Sequence, residues 1–104
     1  MIFIIEDDLN LRELFRDFFL SKGNEVETFP DAETALEAAK KNPPDVAVSD
    51  LQLPGMSGAD LLEELGVLDP AIIRILMTAH TSVQDAVKAI QTGYYDYLEK
   101  PVDL

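Results

Sequence analysis

The sequence contains no cysteine, so neither a disulfide framework nor a thiolate metal site can form, and nothing argues for an oxidising compartment. No apolar run approaches the roughly 20 residues of a membrane-spanning helix, and no basic segment precedes an apolar one at the N-terminus. A cytoplasmic domain without membrane contact is expected. Basic residues are scarce, 8 Lys and Arg against 20 Asp and Glu, for a formal charge of -12. That balance repels a polyphosphate backbone and no basic stripe offsets it, which argues against direct nucleic-acid binding. An acidic surface that keeps the chain soluble satisfies the same numbers, and so does affinity for a cation. Repeats, low-complexity tracts and Gly-rich nucleotide loops are absent as well. With 104 residues the chain has room for one core and for no linker or second domain.

What the chain does contain is an alternation of strand-length apolar runs with stretches of helical period. Ile2 to Ile5 reads as a strand buried on both faces. Leu11, Leu14, Phe15, Phe18 and Phe19 then recur at helical spacing over residues 10–22, with Gly23 as the stop. Val26 to Phe29 reads as a short edge strand, and Asp31 caps a helix bearing Ala32, Ala35, Leu36 and Ala39 on one face until Asn42-Pro43-Pro44 ends it. Asp45 to Ser49 is the next strand, followed by a breaker-rich loop from Pro54 to Gly58 and a short helix marked by Leu61, Leu62 and Leu65. Ala71 to Met77 is the most apolar strand. Thr81 with Gln84, or Ser82 with Asp85, offers a capping box for a helix carrying Val83, Ala86, Val87 and Ile90, closed by Gly93. A last strand runs from Tyr94 to about Leu98. Five strands and four helices in this order predict an α/β fold, an open doubly wound parallel sheet with its ligands beyond the carboxyl ends of the strands.

Glu6, Asp7, Asp50, Thr78 and Lys100 all fall at that edge. A hard divalent cation such as Mg²⁺ takes oxygen ligands, one or two carboxylates with waters and a phosphate, and Asp7 and Asp50 can supply them, with Glu6 acting directly or through water. Glu6 and Asp7 read equally well as acids favoured at the start of the following helix. Lys100 is a compact positive charge able to approach a phosphoryl group, or a solvated lysine before Pro101. Thr78 offers a hydroxyl at a strand end, or is an ordinary β-branched strand residue. Taken together, a carboxylate nucleophile, a metal, an ammonium and a hydroxyl fit phosphoryl transfer onto aspartate.

Ile4-Ile5-Glu6-Asp7-Asp8, Ser49-Asp50-Leu51-Gln52-Leu53-Pro54-Gly55-Met56-Ser57-Gly58, Met77-Thr78-Ala79-His80 and Tyr95-Asp96-Tyr97-Leu98-Glu99-Lys100-Pro101 resemble, in order and spacing, the receiver domain of two-component response regulators. The resemblance spans the whole chain and implies a flavodoxin-like strand order, 2-1-3-4-5. It implies that Asp50 accepts a phosphoryl group from a histidine kinase, with Mg²⁺ held by Asp7, Asp50 and the Gln52 carbonyl and with Glu6 in the first acidic position. Thr78 and Lys100 would bind the new phosphoryl oxygens, and Tyr97 would turn inward as the switch aromatic. Such a domain is a phosphoacceptor rather than an enzyme, although it assists its own phosphorylation and dephosphorylation. Residues Gln52 and His80 stand where the family tunes the lifetime of the aspartyl phosphate; an exposed loop histidine is the alternative for His80. Within the family the wording is most similar to the nitrogen-regulation class of transcriptional activators, which implies an ATPase and a DNA-binding domain as effector in a longer parent chain.

Members of this family usually continue past the Lys-Pro into a fifth helix, whereas residues 1–104 stop at Pro101-Val102-Asp103-Leu104. A receiver domain truncated before its last helix is therefore expected, with an apolar strip left uncovered that self-association, as a homodimer, or rearranged packing would hide. Three rival readings stand beside it. A phosphatase with an aspartate nucleophile resembles Asp-x-Asp at its centre, and Gln52 occupies the second position here. A flavin-binding module needs a hydroxyl-rich phosphate loop after the first strand, which is missing. A stand-alone receiver would act as a phosphorelay shuttle or a protein-binding switch.

Overall fold

The computed structural model describes residues 1–78 and 96–99, with Thr78 and 96–99 described as strand backbone. The expected helix over Val83 to Ile90, with its capping box, lies outside the described residues, as do His80, Lys100 and Asp103.

The four apolar residues Ile2–Ile5 form β1, and as a central strand of a parallel sheet β1 has to be apolar on both faces. Phe3 and Ile5 join the core between the sheet and two helices on one side, and Ile2 and Ile4 join the core against a third helix on the other. That third helix is α1, Leu9–Ser21, capped by the Asp8 carboxylate, which accepts the Leu11 N–H at 3.2 Å. Its far end closes through the Gly23 N–H on the Leu20 carbonyl at 3.0 Å and the Asn24 N–H on the Phe19 carbonyl at 3.1 Å, the bond pair of a Schellman motif. The edge strand β2 follows at Val26–Phe29 and α2 at Ala32–Lys41, where Ala32, Ala35 and Ala39 are fully buried.

β3 covers Val46–Asp50, one residue later than the apolar run suggests, because the Asp45 carbonyl and N–H are used at the strand entrance by Ile73 and Met1. α3 runs over Gly58–Leu68, longer than its leucines alone indicate, since Ser57 caps it by accepting the Asp60 N–H at 3.1 Å. Leu61, Leu62 and Leu65 are buried completely, each contributing about 1.5–3 kcal/mol. β4 is Ile73–Thr78 rather than Ala71 to Met77. Ala71 and Ile72 instead form a turn whose N–H groups donate to the Asp69 carboxylate and carbonyl at 3.0 and 3.1 Å. Nor is the strand uniformly apolar, for Arg74 is buried within it and donates from Nη1 to the Leu62 carbonyl at 3.2 Å. β5 is Asp96–Glu99, and the expected start at Tyr94 lies outside the described residues.

The sheet order is β2-β1-β3-β4-β5 with every pair parallel, a flavodoxin-like arrangement. Its two faces are covered unequally. Against α2 and α3 the core residues are almost wholly buried, whereas on the α1 side Ile2, Val46 and Ile75 are half-buried and Ile73 is 46% exposed. Among the described residues no helix is long and apolar enough to cross a membrane.

The α2 cap makes a pH prediction. Asp31 accepts the Thr34 N–H at 2.8 Å and the Thr34 hydroxyl at 2.7 Å, and these bonds, the backbone one foremost, hold its carboxyl below the usual aspartate value of 3.8. A depressed folded pKa stabilises the fold above the unfolded value, and the contribution is lost as pH falls through the folded one. Asp31→Ala is therefore expected to cost about 1 kcal/mol in chemical unfolding at pH 6, and the difference from wild type to shrink below about pH 4. A difference that stays constant down to pH 2.5 would show that the carboxylate is not what caps α2.

Candidate functional site

The order reversal of a doubly wound sheet leaves a crevice at the carboxyl ends of the two strands that start the two halves, here β1 and β3. Register determines what lines it. Ile5 pairs with Ser49, so Glu6 and Asp50 stand side by side one step beyond. Asp50 in turn pairs with Met77, so Thr78 lies one position farther along β4, where it pairs with Glu99. Tyr97 pairs with Leu76, lower in the sheet.

Carboxylate oxygens of Glu6, Asp7 and Asp50 lie within 4.8 Å of one another. Glu6 is 1% exposed and Asp50 7%, while Asp7 faces solvent. Two buried acids and one open acid concentrate negative potential at a single point, an arrangement that favours a positive ion over solvent. The donors are all oxygens, with no imidazole or thiolate among them, which suits a hard cation. Opposite ligands of an octahedral Mg²⁺ are about 4.2 Å apart, so the observed spacing is near what one such ion spans.

The backbone around the acids is tied down. At the β1–α1 turn, Glu6 Oε1 accepts the Asp8 N–H at 3.3 Å, and Arg12 reaches back from α1 to donate from Nη1 to the Glu6 carbonyl at 2.9 Å. The Glu6 N–H donates to the Phe29 carbonyl at 3.0 Å, so β1 stays paired up to the acid itself. At the β3 end, the buried Ser49 hydroxyl donates to the Asp50 carbonyl at 3.0 Å, and the Leu51 N–H donates to the Met77 carbonyl at 2.8 Å. The loop then folds back on Asp50. The Gly58 N–H donates to the Leu51 carbonyl at 2.9 Å, and a Cβ on Gly58 would overlap the Asp50 carbonyl oxygen and stand 2.8 Å from Ser49 Oγ. Leu51, Leu53 and Met56 pack against the α2–α3 core, leaving Gln52 exposed between them. The Met56 N–H donates to Glu33 of α2 at 2.6 Å.

Of the residues expected at the site, Glu6, Asp7 and Asp50 are brought together, Gln52 follows Asp50 on the adjoining loop, and the backbones of Thr78 and Tyr97 are on β4 and β5. Lys100 and His80 lie outside the described residues. Arg12, Glu33 and the close approach of Gly58 escape a reading of the sequence. Arg12 looks like one more charge on a helix, and Gly58 like a loop breaker, because neither signal says which backbone it meets.

The family described as response regulator receiver domain matches residues 2–104. Among curated proteins, the chain is 36% identical over 104 residues to the DNA-binding transcriptional regulator NtrC of Escherichia coli (strain K12), a match that covers 100% of this chain and 22% of that protein. It is 40% identical over 100 residues to the C4-dicarboxylate transport transcriptional regulatory protein DctD of Pseudomonas aeruginosa, covering 96% of this chain and 22% of that one. Among solved structures, the receiver domain of NtrX from Brucella abortus superposes with a TM-score of 0.90 at 30% identity, covering 99% of this chain and 88% of that domain. The chain thus spans about a fifth of the length of the curated relatives it matches.

Proposed function

Since the chain belongs to the response regulator receiver family, we propose that Asp50 is its phosphoacceptor and that Glu6, Asp7, Asp50 and the Gln52 backbone carbonyl hold Mg²⁺ beside it. The observation that carries this reading is the set of three carboxylates within 4.8 Å at the crevice between β1 and β3. Bound there, Mg²⁺ would neutralise charge on the transferring phosphoryl group. The remaining chemistry belongs to the chain. An Asp50 carboxylate oxygen attacks phosphorus in line, the O–P bond forms, and the bond from phosphorus to the donor's imidazole nitrogen breaks, leaving the histidine on the kinase. Asp50 is well placed for this because its carbonyl and the following loop are anchored by Ser49, Met77 and Gly58, which fixes the strand end that carries it.

Thr78 and Lys100 bind the phosphoryl oxygens, and Tyr97 responds by turning inward. The new dianion thereby biases the surface around β5 and passes the signal on. Gln52 and His80 set how quickly water removes the phosphoryl group, so a change at either alters dephosphorylation more than phosphorylation. Residues 1–104 form one receiver domain, a cytoplasmic signalling unit rather than a turnover enzyme. A sensor histidine kinase is the donor, and a transcription-activating effector in the parent chain is the output. The length and the names of the NtrC and DctD relatives support that output over a stand-alone shuttle.

Intact mass after incubation with acetyl phosphate and Mg²⁺ tests this reading. The wild-type chain is expected to gain one phosphoryl group and Asp50→Asn none. Equal labelling of both would place the acceptor elsewhere, and no labelling of the wild type would remove the phosphoacceptor role from this chain.

A further inference from the structure

The loop from Asp50 to α3 has an anchor that the phosphoacceptor chemistry does not itself require. Glu33 stands in the first turn of α2, a helix held at its start by the Asp31 cap and seated on the sheet by Ala32 and Ala35. From this fixed base its Oε1 accepts the Met56 N–H at 2.6 Å, across 23 positions of sequence. The adjoining Gly55 has φ of +78°, a left-handed backbone, and a Cβ there would stand 2.7 Å from the same Oε1. Carboxylate and glycine are thus matched: the bare Cα leaves room for Glu33, and Glu33 fixes the loop where it bends. A charge-assisted bond to a backbone N–H is roughly twice as strong as a neutral one, and water would otherwise take its place.

On the reading of Asp50 and Gln52 given above, we infer that Glu33 is a positioning residue for the phosphoacceptor site. By clamping Met56 it sets the path of the loop through Gln52, whose backbone carbonyl that reading makes a metal ligand. The loop has an apolar anchor as well, because Leu53 and Met56 pack on the core. Those contacts fix how deep the loop sits, whereas a hydrogen bond fixes its rotation, and rotation decides where a carbonyl points.

Two readouts on three proteins test the inference: amide hydrogen exchange of Met56 without metal, and the dissociation constant for Mg²⁺ by titration calorimetry. Glu33→Ala is expected to speed Met56 exchange about tenfold and to weaken Mg²⁺ binding about threefold to tenfold. Glu33→Gln, which keeps an acceptor oxygen but no charge, is expected to fall between the two, with Met56 exchange about threefold faster than wild type and Mg²⁺ binding about twofold to threefold weaker. Unchanged exchange in Glu33→Ala would overturn the clamp. Equal weakening of Mg²⁺ by Ala and Gln would overturn it too, because loss of a negative charge alone would then account for the effect. Absence of Mg²⁺ affinity in the wild type would overturn the metal reading, and the exchange rates would still decide whether Glu33 holds the loop.

Discussion

Gly58→Ala is expected to destabilise the fold by about 3 kcal/mol and to damage the Asp50 site at the same time. The added methyl would meet the carbonyl oxygen of Asp50, with the carbonyl carbon at 2.7 Å and the buried Ser49 hydroxyl at 2.8 Å. A flexible side chain could yield, but these neighbours are backbone in the middle of the sheet and a residue wholly shielded from solvent. Relief requires moving either the start of α3, which breaks the Gly58 to Leu51 hydrogen bond, or the end of β3, which displaces Asp50. Chemical unfolding of Gly58→Ala beside wild type checks the first effect, and Mg²⁺ titration of the folded variant checks the second. A wild-type midpoint together with wild-type Mg²⁺ affinity would mean that the loop yields cheaply and that Asp50 is not fixed by it.

Saturating Mg²⁺ is expected to raise the melting temperature of the wild-type chain by about 10–20 °C. A ligand at 100 times its dissociation constant stabilises the fold by about 2.7 kcal/mol, and each kcal/mol is worth about 4–8 °C in a domain of this size. Without the ion, three carboxylates within 4.8 Å repel one another, and two of them are screened little because they are buried. The gain should vanish in an Asp7→Asn, Asp50→Asn double variant, which keeps oxygen donors but discards two of the charges. A chain of formal charge -12 also gains from general screening, so the comparison is made against KCl at matched ionic strength. Equal shifts in wild type and double variant would reduce the cation's role to that screening.

Local signals that act within a few residues were legible from the sequence. Ile2–Ile5 and Val26–Phe29 are strands where their apolar runs lie, and Asp31 caps α2 as its spacing to the alanine face requires. Boundaries that depend on distant partners shifted. β4 begins at Ile73 because Asp69 captures the N–H groups of Ala71 and Ile72, and β3 extends to Asp50 because β4 offers Met77 beside it. The buried Arg74 in β4 is a similar case: an arginine inside an apolar run announces nothing until Leu62 of α3 provides a carbonyl for it.

At the site, the sequence by itself determined the chemical inventory, since Glu6, Asp7 and Asp50 are carboxylates at the ends of apolar runs whatever the runs pair with. The alternative reading of Glu6 and Asp7 as helix-start acids does not hold, because Asp8 caps α1 and no acid stands in its first turn. Only the tertiary structure decided that the three acids share one point, through the register that sets Ile5 against Ser49. It alone decided which neighbours hold them there: Arg12 on the Glu6 carbonyl, Gly58 beneath Asp50, and Glu33 on Met56. The physical reason is one of range. Propensity, capping and alternation are settled by nearest neighbours along the chain, whereas register and steric fit are settled between segments that the sequence leaves far apart.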